Sequence, residues 1–141
     1  MKNLVNEITV LDAGVLIALA VGESNTVQLS KKIIDHRGSY ACTEIALSEL
    51  SYILCRRLSW KKALDKADNL VKSSMITVIP THVLWAEAAR IKCKAAIALP
   101  DCFTFAAARL TKGKPMFARR EKEISDAVKK NQLTEIIEYL D

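Results

Sequence analysis

The amino-acid sequence predicts an α/β fold of three layers, α/β/α, with a central parallel sheet of four to five strands. Short runs rich in β-branched residues alternate along the chain with longer amphipathic stretches, a pattern typical of parallel strands joined by helices. The first run, residues 8–10, is apolar without interruption, which indicates a strand covered on both faces. Half of the 141 residues are hydrophobic, and no linker-like or low-complexity segment divides them. We therefore expect one domain spanning residues 1–141.

Five segments are expected to form the strands. Each is short and contains β-branched or apolar residues, and Pro80 ends the third because proline cannot donate to a strand ladder. The expected strands are residues 8–10, 40–42, 75–79, 114–117 and 134–139. The last of them is expected at an edge of the sheet.

Seven helices are expected between and after these strands. Several begin after a residue whose side chain can accept a hydrogen bond from the first helical turn, namely Ser24, Thr43, Ser59 and Thr81. The expected helices are residues 15–21, 25–36, 44–58, 60–72, 82–96, 100–112 and 121–130.

The composition indicates what kind of binding partner and which cellular compartment to expect for this protein. The chain carries 21 Lys and Arg against 16 Asp and Glu, a net charge of +5, which favours an anionic partner such as nucleic acid. No apolar run is long enough to cross a membrane, and residues 1–7 lack the pattern of a signal peptide. The four cysteines include no Cys-x-x-Cys pair, so we expect free thiols in a reducing compartment. A cytoplasmic protein is therefore expected.

A carboxylate interrupts the apolar sequence at the end of the first expected strand. Asp12 stands where open α/β sheets place their ligands, and a charge in so apolar a setting is costly without a partner. Gly14 then permits a tight turn into the next helix. Two interpretations are open: Asp12 is the N-cap of that helix, or it has a functional role.

A second carboxylate lies on the apolar face of the expected helix 44–58. At about 100° per residue, Glu49 shares a face with Ile45 and Ile53, which should point to the core. A buried carboxylate requires an ion pair or a metal ion. The alternative to metal binding is an ion pair with Arg56, two turns further along.

The third carboxylate, Asp101, opens a helix of small and apolar residues, and helix capping is again the alternative role. Asp12, Glu49 and Asp101 all stand at or near helix starts, which gather at one edge of a parallel sheet. Three carboxylates brought together repel one another unless cations neutralise them, and hard oxygen ligands suit Mg²⁺ or Mn²⁺. Such a site can position a water and stabilise the charge on a phosphodiester during in-line attack.

Four segments carry a resemblance to a known family: LDAGVLIA at 11–18, TEIALSEL at 43–50, RRLS at 56–59 and LPDCFTFAAA at 99–108. In this order and spacing they resemble the PIN-domain family, and within it the VapC-like toxins of prokaryotes. The resemblance covers nearly the whole chain and implies a PIN-like, Rossmann-like fold with metal-dependent endoribonuclease activity. Asp12, Glu49 and Asp101 fall on the family's metal-binding and catalytic acids. The resemblance also implies RNA as the substrate, a homodimer, and a protein antitoxin that blocks the site.

The sequence departs from the family's pattern at three positions. Ala13 stands where a hydroxyl residue usually follows the first acid, and Ala118 stands where Thr usually precedes a fourth acid. Arg120 stands in the position of that fourth acid. With a shifted register Glu121 reaches the metal site; otherwise it belongs to the helix surface. Arg119 and Arg120 are candidates to contact the substrate phosphate.

The leading hypothesis is a metal-dependent endoribonuclease, a phosphodiester hydrolase that uses Mg²⁺ or Mn²⁺ and acts as the toxin of a type II toxin–antitoxin pair. A second hypothesis is a catalytically weakened member of the family that binds RNA or a partner without cutting, as the three departures suggest. A third is a phosphoacceptor signalling domain, which also gathers acids at a sheet edge. That class requires paired acids after the first strand, whereas this strand ends in Asp12 alone.

Overall fold

The sheet of the computed structural model, which describes residues 7–140, has five strands. They are β1 (Ile8–Leu11), β2 (Ser39–Thr43), β3 (Ile76–Ile79), β4 (Lys114–Phe117) and β5 (Glu138–Tyr139). Their order is β3-β2-β1-β4-β5, and all four pairings are parallel. The order reverses between β1 and β4, so the carboxyl ends of these two strands border the crevice where such sheets bind ligands.

Seven helices lie between and after the strands in the described part of the chain. They are α1 (Ala13–Val21), α2 (Val27–Ile34), α3 (Glu44–Arg57), α4 (Trp60–Lys72), α5 (Trp85–Lys94), α6 (Leu99–Thr111) and α7 (Lys122–Lys129). Short 3-10 turns, Ser24–Thr26 and Thr81–Val83, precede α2 and α5. Among the helices within residues 7–140, none has the length and apolar character needed to cross a membrane.

Two hydrophobic clusters, one on each face of the sheet, hold the layers together. Neighbouring residues of one strand enter opposite clusters, as Val10 and Leu11 do in β1 and Ala41 and Cys42 do in β2. The Val10 side of the sheet packs against α5, α6 and α7, and the Leu11 side packs against α1, α2, α3 and α4. The predicted three-layer α/β/α fold with a parallel sheet is confirmed.

Two of the predicted helix caps are confirmed. The hydroxyl of Thr43 accepts a hydrogen bond from Ala46 N (3.0 Å), and that of Ser59 accepts one from Lys62 N (3.2 Å). The cap predicted at Ser24 is wrong, because this residue begins a 3-10 turn and its side chain caps no helix.

The cap predicted at Thr81 is also wrong. This residue begins a 3-10 turn, and α5 starts only at Trp85. The Thr81 amide donates a hydrogen bond to Glu44 Oε1 (2.6 Å). That contact links the turn to the first residue of α3.

The strand predicted at residues 134–139 is shortened to two residues, β5. Glu135 forms an ion pair with Arg109 of α6, which directs this part of the chain away from the sheet. Ile136, next along the chain, is 78 % exposed. The strand therefore forms only where the chain returns to β4.

Candidate active site

Asp12 follows β1 and is the N-cap of α1, so the capping interpretation is confirmed. Its Oδ2 accepts a hydrogen bond from Gly14 N (3.2 Å), and its Oδ1 accepts one from the Thr104 hydroxyl (3.5 Å). The Asp12 amide donates to Met116 O (3.0 Å), which fixes this residue between β1 and β4. Burial raises the pKa of Asp12, although hydrogen bonds from backbone amides partly oppose the shift.

Gly14 allows α1 to approach a neighbouring segment closely, whereas the sequence predicts a tight turn at this residue. It lies inside α1, and a Cβ at this position would lie 3.2 Å from the Cβ of Ala118. The start of α1 therefore approaches the loop that follows β4. That approach brings the loop beside Asp12.

Glu49 lies in the second turn of α3 and is half-buried. The alternative ion pair with Arg56 does not form; the Arg56 guanidinium instead lies over the ring of Tyr52, 4.9 Å from its centroid. Within residues 7–140, Glu49 has no salt-bridge partner. Burial raises the pKa of Glu49, and repulsion by Asp12 and Glu121 adds to the shift.

Asp101 is the third residue of α6, whose N-cap is Ala98, so Asp101 does not cap the helix. Because α6 leads into β4, its first turn lies at the carboxyl edge of the sheet, and Asp101 reaches the site although no strand precedes it. Burial raises the pKa of Asp101 to about 7, and repulsion by Asp12, Glu121 and Glu49 contributes to the shift. The positive end of the α6 dipole offsets part of this repulsion.

The loop between β4 and α7 brings two further charged side chains to the same place. Glu121 is the N-cap of α7 but makes no side-chain capping bond, and its charge raises the pKa of Asp12, Glu49 and Asp101. Arg119 borders the same cavity. Arg120 does not, because its guanidinium lies over the ring of Tyr139, 4.2 Å from the centroid.

One cavity of about 490 Å³ is lined by charged side chains from these elements. Its charged lining consists of Asp12, Glu23, Glu49, Asp101 and Glu121, and of Arg57 and Arg119. Five carboxylates thus face two guanidinium groups, which gives the cavity a negative excess. A phosphate that enters it is repelled until cations neutralise part of that charge.

Three residues of this site were not among the predicted site residues. Thr104 is 1 % exposed and follows Asp101 by one helical turn, so a buried hydroxyl beside a predicted acid was the available signal. Arg57 lies in the last turn of α3, where an exposed arginine gives no sequence signal that separates it from a solvated charge. Glu23 lies in the turn after α1, where no sequence pattern indicates a site.

The donor set fits a divalent cation by its chemistry. Carboxylate oxygens are the ligands that Mg²⁺ and Mn²⁺ prefer, and Asp12, Glu49, Asp101 and Glu121 line one cavity. Among the described residues, no group of three or more His, Cys, Asp or Glu side chains is already arranged to hold a metal ion. Like-charged carboxylates repel one another when no cation lies between them, which keeps them farther apart than a shared ion would hold them.

A parallel α/β sheet with a carboxylate-lined cavity at its switch point defines a class of proteins suited to bind cations and anionic ligands there. The sequence matches the family model described as PIN domain over residues 9–131. The chain therefore belongs to the PIN domain family, as the resemblance predicted. Comparison with curated proteins gave no match.

Solved structures share the fold at low sequence identity. DNA-bound VapBC from Salmonella typhimurium has a TM-score of 0.69 at 14% identity, covering 96% of this chain and 99% of that chain. VapBC2 from Rickettsia felis, bound to a promoter DNA fragment, has a TM-score of 0.66 at 15% identity, covering 95% and 99%. VapC20 from Mycobacterium tuberculosis, a Sarcin-Ricin loop cleaving toxin, has a TM-score of 0.65 at 17% identity, covering 84% and 94%.

Proposed function

We propose that this protein is a metal-dependent endoribonuclease that hydrolyses RNA phosphodiester bonds with Mg²⁺ or Mn²⁺. The observation that supports it most directly is the convergence of Asp12, Glu49, Asp101 and Glu121 on one cavity of a PIN domain. These four side chains are the proposed metal ligands, with Asp12, Glu49 and Asp101 as the catalytic acids. Glu121 takes the place of the fourth acid that Arg120 replaces.

The protein's own groups hold the reactants in place. A divalent cation held by Asp12, Glu49, Asp101 and Glu121 would supply charge neutralisation at the scissile phosphate and activation of a water for in-line attack. The amide of Gly14 donates to one oxygen of Asp12, and the Thr104 hydroxyl, which lies equally near Pro100 O (3.5 Å), can donate to the other, so both contacts help to orient this carboxylate. Arg119 lines the cavity, which supports a role in contacting a substrate phosphate, whereas the position of Arg120 over Tyr139 argues against that role for it.

Glu49→Gln tests the proposal. Replacing Glu49 removes a ligand charge from the cavity, and we expect RNA cleavage in Mg²⁺ or Mn²⁺ to fall by more than about 100-fold, since losing an outer partner of a metal ligand alone costs 10–100-fold. The matched control is Glu44→Gln on the same helix. Glu44 is exposed and outside the cavity, so that variant should cleave within about twofold of the parent. Parent-level cleavage by Glu49→Gln would contradict the proposal.

The structure adds one observation in favour of the weakened, non-cutting hypothesis: among the described residues, no group of three or more His, Cys, Asp or Glu side chains is arranged to hold a metal ion. Calorimetry with Mn²⁺ separates the two hypotheses. Binding that Glu49→Gln weakens, together with RNA cleavage, supports the nuclease. Absence of binding at millimolar Mn²⁺ supports the weakened member. Membership of the PIN family gives no support to a phosphoacceptor domain.

We also propose that the protein acts in the cytoplasm as a homodimeric toxin of a type II toxin–antitoxin pair. Support comes from the neighbouring structures, which include a toxin–antitoxin complex from Klebsiella pneumoniae and the two VapBC structures above. An antitoxin that places a positively charged side chain in the cavity would neutralise the carboxylates of the cavity in place of the metal ion.

A further inference from the structure

We infer that Arg57 binds a backbone phosphate of the RNA next to the one that is cleaved, so that the RNA chain runs past the carboxylates between Arg119 and Arg57. This inference rests on the proposed function, because it places the same substrate in the same cavity. It adds the course of the RNA chain and a second phosphate contact.

The geometry of α3 places Arg57 along the cavity from the metal-binding end. Glu49, Ile53 and Arg57 are spaced by one helical turn each, and all three line the cavity. With a rise of 1.5 Å per residue, the Cα atoms of Glu49 and Arg57 are roughly 12 Å apart along the helix. That span is longer than one phosphate group, so Arg57 is assigned to the phosphate next to the one that a cation held by the carboxylates would contact.

Arg57 is available for such a contact. Its side chain is exposed, and within residues 7–140 it forms no salt bridge. Its neighbour Arg56 is outside the cavity lining and packs over the ring of Tyr52. Arg56 and Arg57 are adjacent on one helix, and the difference that matters for phosphate binding is that Arg57 lines the cavity and Arg56 does not.

The charge of the cavity explains why a guanidinium at this end is needed. Near the carboxylates, an RNA strand is attracted only through the bound cation. The phosphates on either side of the one that contacts this cation are repelled by the excess negative charge of the cavity. Arg57 on α3 and Arg119 on the loop before α7 are the two cationic side chains of the lining. A guanidinium offers a phosphate two parallel hydrogen bonds as well as charge, which fixes the strand in position.

The test compares Arg57→Gln with Arg56→Gln, both in an Asp12→Asn background that should bind RNA without cutting it. Fluorescence anisotropy with a labelled single-stranded RNA oligonucleotide, in the presence of Mg²⁺ and at several salt concentrations, gives the affinity. We expect Arg57→Gln to weaken binding about fivefold to tenfold and to reduce the salt slope by about 0.7, the value of one released counterion on a single strand. Arg56→Gln should change the affinity by less than about twofold, and Arg57→Lys should restore most of the salt slope.

Equal losses in the Arg56 and Arg57 variants, or no loss in either, would overturn the inference. So would failure of the Asp12→Asn parent to bind the oligonucleotide. Failure of the proposed function gives a different result, in which the unmodified protein binds RNA but does not cleave it in Mg²⁺ or Mn²⁺. Both arginines are exposed, so thermal unfolding should show that the two variants fold like the parent.

Discussion

Asp12 uses its two carboxylate oxygens differently. One oxygen accepts from Gly14 N and caps α1, and the other accepts from the Thr104 hydroxyl. Capping and metal binding are therefore compatible, because a carboxylate oxygen has two lone-pair directions and one backbone amide occupies only one of them. The apolar surroundings of β1 raise the pKa of this group, and these hydrogen bonds limit the rise.

Thr104→Val should weaken metal binding without unfolding the protein. Valine has the shape of threonine but donates no hydrogen bond, so Asp12 Oδ1 loses a partner that favours its charged form. The pKa of Asp12 then rises further. We expect the affinity for Mn²⁺ at pH 7, measured by calorimetry, to fall about tenfold, the usual cost of losing an outer partner of a ligand.

The matched control for that variant is Thr111→Val on the same helix. The Thr111 hydroxyl donates to Ala107 O and does not line the cavity. This control should leave the Mn²⁺ affinity unchanged. If both variants bind Mn²⁺ as the parent does, Thr104 has no part in holding Asp12.

At the scale of elements, the loop between β4 and α7 determines whether a fourth carboxylate reaches the cavity. One side of the loop lies against the start of α1, where Gly14 leaves room for Ala118. The other side is held by the Arg120 guanidinium stacked on Tyr139 of β5. The two-residue strand β5 thereby helps to direct Glu121 toward Asp101.

Tyr139→Leu tests the role of β5. Leucine keeps an apolar side chain against the core but has no aromatic face for Arg120. A cation–π contact of this kind contributes about 0.5–1 kcal/mol, so we expect the Tm to fall by roughly 2–4 °C. RNA cleavage should fall with it, since Glu121 is less well placed. Tyr139→Phe keeps the ring and should match the parent in both measurements; equal Tm values for all three proteins would refute the stacking argument.

The elements that sequence reasoning placed correctly are those with strong local signals. β1 has an uninterrupted apolar run, and Thr43 and Ser59 are caps whose hydroxyls find an amide within their own helix. Two of the errors lie where a distant residue contacts the segment. Glu44 accepts a hydrogen bond from the amide of Thr81, and Arg109 forms an ion pair with Glu135, and neither contact is visible in the local pattern.

At the scale of the molecule, the net charge of the whole chain and the charge of the cavity have opposite signs. The whole chain has a net charge of +5, which favours approach to a polyanion, while the cavity itself carries more carboxylates than guanidinium groups. Asp12, Glu49 and Asp101 could be predicted as site residues from the sequence because each departs from an apolar pattern. Arg57 could not, since an exposed arginine at a helix end resembles any solvated charge.

The acid cluster also makes the stability of the metal-free protein depend on pH. Asp101 has a pKa of about 7 in the folded state against 3.8 in an ordinary environment. Between these values the folded protein keeps a proton that the unfolded chain releases, so the free energy of unfolding falls as the pH rises from about 4 to about 7. Above pH 7 the ionised carboxylates repel one another, and the loss of stability is complete.

Asp101→Asn should therefore stabilise the metal-free protein at pH 8 and leave it nearly unchanged at pH 4. Because solvent screens part of this repulsion, the expected gain at pH 8 is about 1.4 kcal/mol, and the Tm in a chelator should rise by roughly 3–6 °C. Asp126→Asn is the control of opposite sign, because Lys122 lowers the pKa of Asp126 and its loss at pH 8 should lower the Tm. Added Mn²⁺ should raise the Tm of the parent more than that of Asp101→Asn. If Asp101→Asn changes the Tm by the same amount at pH 4 and at pH 8 in chelator, these carboxylates are not close enough to repel one another.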